Sequence, residues 1–67
     1  MRGVNFYYEK FDEILRKADS EMANQFVDFR SNHNVRQIWL WLDSRVKSGQ
    51  IPAEISSYLD DFYSEVW

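Results

Sequence analysis

Residues 4–29 read VNFYYEKFDEILRKADSEMANQFVDF, and their pattern decides the fold. The run contains neither glycine nor proline. At about 100° per residue, Val4, Tyr8, Phe11, Leu15, Ala18, Met22, Phe26 and Phe29 fall within one narrow arc, the mark of an amphipathic helix. Asp19-Ser20-Glu21 interrupts the run with residue types that favour helix caps. The apolar stripe stays in phase across it, so the spacing predicts one helix over about 5–29, about 37 Å long at 1.5 Å per residue, with Asn5 as its N-cap. A break at Asp19 gives the alternative, a four-helix version. On the outer face, Asp12/Arg16 and Glu13/Lys17 stand four residues apart with the acid first, which adds a few tenths of a kcal/mol per pair.

Downstream, the punctuation is sparse. Ser48-Gly49-Gln50-Ile51-Pro52 is a firm boundary, and Arg30-Ser31-Asn32-His33-Asn34 a softer one. They delimit a second helix over about 34–48, with Val35, Ile38, Trp39, Leu42 and Val46 on one face and Leu40 pointing nearly opposite. A helix apolar on most sides is expected to be buried on most sides. Gly49 suits a left-handed C-cap, and Arg45 and Lys47 suit the negative end of the helix dipole. The third helix is expected over about 52–66, opened by Pro52, with Ile51, Ile55, Tyr58, Leu59, Phe62 and Val66 as its stripe. The expected architecture is all-α: a single domain over 1–67, three-helix bundle-like, one long N-terminal helix packed against a shorter helical hairpin.

A chain of 67 residues buries only about 60% of its unfolded surface, so its core must be dense. Cysteine is absent, which removes disulfides and thiolate metal sites. Aromatic residues at 18% of the chain supply bulk instead. The longest unbroken apolar stretch, Ile38 to Leu42, is far short of a membrane span, and residues 1–5 open no secretory signal. A cytoplasmic protein is expected.

Catalytic and cofactor chemistry find no support. The one histidine, His33, lies among asparagines and reads as a loop or helix-cap residue. Asp60 and Asp61 diverge by about 100° on a helix, and Glu9, Asp12 and Glu13 read as a solvated face. The sequence carries no phosphate-binding glycine loop, zinc-ligand spacing or nucleophile elbow. The expectation is a non-enzymatic protein without cofactor, metal or small-molecule substrate.

Charge is uneven. The net charge is −3, yet over residues 30–48 Arg30, Arg36, Arg45 and Lys47 face only Asp43, whereas residues 49–67 hold Glu54, Asp60, Asp61 and Glu65 and no base. Either the basic middle helix neutralises the acidic third one, or it contacts nucleic acid. Met22-Ala23-Asn24-Gln25-Phe26, Asn34-Val35-Arg36-Gln37-Ile38-Trp39 and Ile51-Pro52-Ala53-Glu54 together resemble the helix-turn-helix of phage Cro and repressor proteins over residues 20–60. The resemblance implies a DNA-binding transcriptional regulator in which Arg36 and Gln37 read base edges. The turn read here is about three residues longer than in that family and lacks its glycine, and Leu40 and Trp41 crowd the reading helix.

The aromatic excess points elsewhere. Phe6, Tyr7, Trp41, Tyr63 and Trp67 fall off or at the edge of the three stripes, and Trp, Tyr and Arg dominate interface hot spots. A 37 Å helix outruns two shorter ones, leaving part of its stripe for a second copy or a partner, with a self-complementary homodimer the commonest solution. The leading expectation is a small stand-alone protein–protein interaction module, an inhibitor or regulator that binds a larger host protein or nucleoprotein complex. By analogy with the small proteins that phages and mobile elements encode for such purposes, anti-defence is among the expected roles. The expected contact surface is Tyr7, Trp41, Tyr63 and Trp67, rimmed by Arg36 and Arg45. If the target is a nucleoprotein, Asp60, Asp61 and Glu65 would instead face its basic groove built for nucleic acid.

Overall fold

Asp19 ends the first helix. Its backbone is extended, with φ −162° and ψ 104°, and its Oδ1 accepts the backbone N–H of Glu21 at 3.0 Å and of Met22 at 3.4 Å. One residue thus closes one helix and caps the next, because its side chain satisfies donors that every helix start leaves orphaned. The computed structural model describes residues 3–67 as an all-α helical bundle: α1 (Val4–Ala18), α2 (Ser20–Asn32), α3 (Val35–Lys47), a 3₁₀ turn (Ala53–Ile55) and α4 (Ser56–Val66).

The unbroken helix over 5–29 is therefore replaced by two helices. α2 folds back on α1, as three pairings in reversed order show: Arg16 Nη1 donates to Asn24 Oδ1 at 3.2 Å, Phe11 meets Phe26 edge-to-face, and the Arg30 guanidinium lies over Tyr8. The longest dimension of the molecule, 28 Å, would not hold a 37 Å helix. Phe11 and Phe26, both members of the expected stripe, are completely buried against each other, so the two halves of the stripe cover one another where a single long helix would have left part of it open. The stripe itself is redrawn: α1 buries Tyr7, Phe11 and Leu15, α2 buries Ala23 and Phe26, and Ala18 is exposed beside the break.

Three phenylalanines tie the bundle. Phe11 of α1 meets Phe26 of α2 at 6.1 Å and Phe62 of α4 at 5.4 Å, both edge-to-face, and none of the three rings touches solvent. Such pairs add about 0.5–1.5 kcal/mol each beyond their buried area. Ile38 and Leu42 of α3, Ile51, Ile55 and Leu59 complete the core.

The other helix ends follow local chemistry. Gly3, not Asn5, occupies the N-cap of α1. Asn34 and Gln37 form a reciprocal capping box at the start of α3: Asn34 Oδ1 accepts the Gln37 N–H at 2.9 Å and Gln37 Oε1 accepts the Asn34 N–H at 3.1 Å. α2 runs further than the polar cluster suggested, taking in Arg30, Ser31 and Asn32, so only His33 and Asn34 join it to α3. Gly49 adopts φ +79°, its N–H bonds the Val46 carbonyl and the Gln50 N–H bonds the Arg45 carbonyl, which is a Schellman closure of α3. Pro52 caps the short 3₁₀ turn rather than opening an α-helix, which begins at Ser56. Asp12 and Arg16 pair as expected, whereas Glu13 bonds Lys10 instead of Lys17.

Candidate functional site

α3 is not buried on most sides. Ile38 and Leu42 face the core, while Leu40, nearly opposite, is 55% exposed. Beside it, the C-terminal end of α2 and the outer flank of α3 enclose an open groove of about 480 Å³, lined by Phe29, His33, Gln37, Leu40, Trp41, Ser44 and Arg45. Its walls are apolar. Trp41 stacks on Phe29 with ring centres 5.4 Å apart and reaches the buried Phe26 at 6.0 Å.

His33 closes one end of the groove. Its ring lies parallel to Phe29 at 3.7 Å, and its Nδ1 sits 2.9 Å from the Phe29 carbonyl oxygen. A carbonyl can only accept, so this bond puts the ring proton on Nδ1. The contact satisfies one of the carbonyls that a helix C-terminus leaves without a partner. His33 is thus a cap of α2, and the stacking that fixes the groove end comes from its four-residue spacing to Phe29.

Arg45 closes the other end. Its guanidinium carbon lies 3.9 Å from the centre of the Trp41 ring. Its Nη1 reaches the Trp41 carbonyl only at 3.5 Å, and its Nε is buried without an acceptor. Among the described residues no carboxylate pairs with it; every ion pair lies within a single helix, in α1 or α3. Among the described residues no ion pair joins the basic face of α3 to α4. Arg36 and Arg45 rest instead on indole faces, at Trp67 and Trp41.

The expected contact surface is divided. Tyr7 is 2% exposed and belongs to the core: its ring packs on Phe11 and Phe62, and its hydroxyl donates to Glu65 Oε1 at 3.1 Å. Position 7 stands four residues before Phe11 and eight before Leu15, so a helix turned slightly from the expected phase buries it. Trp41 and Arg45 lie together in the groove. Tyr63 and Trp67, 43% and 46% exposed, form a separate cluster with Trp39 and Arg36 on the other flank of α3. There Trp39 Nε1–H donates to the Leu59 carbonyl at 3.1 Å, which binds α3 to α4. Asp60 and Asp61 are exposed on α4, and Glu65 is half-buried under Tyr7.

Phe29, His33, Gln37 and Leu40 were not among the expected surface residues, although Leu40 already read as pointing away from the core. Arg36 and Gln37, the base readers implied by the helix-turn-helix resemblance, are both engaged with their own chain, Arg36 on Trp67 and Gln37 in the capping box. No group of three or more metal-ligating side chains converges among the described residues, and no described helix is long and apolar enough to cross a membrane. The chain matches no protein-family model, no curated protein and no solved structure.

Proposed function

We propose that this protein is a non-enzymatic interaction module, an inhibitor or regulator that acts by docking on a larger protein. The observation that carries the reading is the position of Leu40. A large aliphatic side chain, 55% exposed, stands on the rim of a groove walled by Phe29 and Trp41. Fully burying a leucine is worth about 1.5–3 kcal/mol, and at 55% exposure the chain on its own leaves about half of that gain unrealised. The core does not need Leu40 to be apolar, because Ile38 and Leu42 fill the buried face of α3. An exposed apolar residue beside aromatic walls and a rim cation is the composition of an interface centre.

Affinity capture from host cells tests this, comparing the wild type with Leu40→Asp. The exposed position makes the substitution compatible with the fold, and matched helical circular dichroism and melting curves check that. A captured protein that rebinds the wild type from purified components, but not Leu40→Asp, is the expected result. Equal recovery by both proteins, or capture only of nucleic acid released by salt, would overturn the proposal.

A further inference from the structure

The hydrogen-bonding character of the groove points to the chemistry of its occupant. Gln37 has its Oε1 committed to the Asn34 N–H, so its amide offers N–H donors. Among the described residues the Arg45 guanidinium has no carboxylate partner, and it makes only a 3.5 Å contact to the Trp41 carbonyl. Ser44 is the exception, since its proton goes to the Trp41 carbonyl at 3.0 Å. Among the described residues no aspartate or glutamate lines the groove. Apolar walls with the Arg45 cation at one end are complementary to an apolar side chain with a carboxylate close behind it.

We infer that the groove between α2 and α3 binds an acidic amphipathic helix of a protein partner, seating a large apolar side chain against Phe29, Leu40 and Trp41 and a carboxylate on Arg45. On a helix, residues three or four apart share a face at about 5–6 Å, so such a pair is presented from one turn. Charge favours this occupant over a second copy of the chain. In a two-fold pairing through this face each groove would bring its own Arg45 to the interface, and neither would bring an acid from its lining. The carboxylate supplies the ionic acceptor that the Arg45 guanidinium lacks among the described residues, while the Trp41 ring already holds it in place.

This inference rests on the interaction reading and deepens it, and one experiment separates the two. A displayed library of random 16-residue amphipathic peptides is selected against the wild type, then counter-screened against Leu40→Asp and Arg45→Met. Both variants are first checked for native circular dichroism. Binders lost with Leu40→Asp should be enriched in Asp or Glu three or four positions from a large apolar residue. Their affinity should fall about tenfold or more with Arg45→Met, as when one member of a desolvated charge pair is removed. Binders that depend on Leu40 but lack carboxylate enrichment, or tolerate Arg45→Met, overturn the acidic partner and leave the interaction reading standing. The absence of any Leu40-dependent binder overturns both. Sedimentation supplies the remaining arm: a dimer that Leu40→Asp dissociates makes the occupant a second copy and overturns the inference.

Discussion

The Arg45 guanidinium lies 3.9 Å above the Trp41 indole and its Nε–H is buried with no acceptor. Two opposing terms meet in this contact. The cation over the ring contributes about 0.5–2 kcal/mol, and the unsatisfied buried donor costs about 1–3 kcal/mol. Arg45→Met keeps the apolar stem and removes both. Its unfolding free energy, from urea denaturation, should stay within about 1 kcal/mol of the wild type. A loss of several kcal/mol would mean that the arginine is chiefly a structural clamp.

The two exposed-edge tryptophans should respond differently to truncation. Trp41 is half-buried, stacks on Phe29 and touches the completely buried Phe26. Trp41→Ala should cost about 2 kcal/mol, short of the 3–5 kcal/mol of a fully buried ring. Trp67 is 46% exposed and packs on Tyr63, Trp39 and Arg36. Trp67→Ala should cost about 1 kcal/mol, the worth of surface ring contacts. For a chain this small, total stability is on the order of 3–10 kcal/mol, so chemical denaturation resolves the two. Equal losses would remove the distinction between groove wall and surface cluster.

Asp19→Ala should destabilise the fold by about 1 kcal/mol and Asp19→Asn by much less, because both Asp and Asn accept from the first N–H groups of α2. The comparison is made by thermal melting. A melting point unchanged in Asp19→Ala would show that tertiary packing alone sets the break.

That same residue explains how far the sequence could be read. Helical periodicity reports which way side chains point along a helix, not whether the helix reverses. The pattern Phe11, Leu15, Phe26 is in phase through 19–20 for a straight helix and equally serves two helices folded face to face. Only the capping chemistry of Asp19 distinguished them, and local propensity is weaker evidence than a 26-residue stripe. The all-α class, the Gly49 C-cap and the cores of α3 and α4 were legible because each rests on a local signal. The groove was half legible. Leu40 pointed outward by its angle, and Trp41 and Arg45 stood four apart. Its other wall comes from Phe29 and His33 on α2, and that juxtaposition depends on the chain reversal at Asp19.

Alkaline pH should expose a contribution from Tyr8. Its ring packs edge-on against Phe26 and at 6.0 Å against Phe62, and burial raises its phenol above the ordinary 10.0, an effect the nearby Arg30 charge partly offsets. A folded-state value above the unfolded one means that the native protein holds the phenol proton more tightly. The associated stability is fully present below about pH 10 and is lost as pH rises through the folded-state value. Tyr8→Phe keeps the ring against Phe26 and Phe62 but cannot ionise. Urea denaturation of the two proteins from pH 8 to 11 should therefore give a constant difference at the lower end, then a steeper decline for the wild type above pH 10. Parallel decline of both curves across the whole range would show that the Tyr8 hydroxyl is as freely ionised in the bundle as in the unfolded chain.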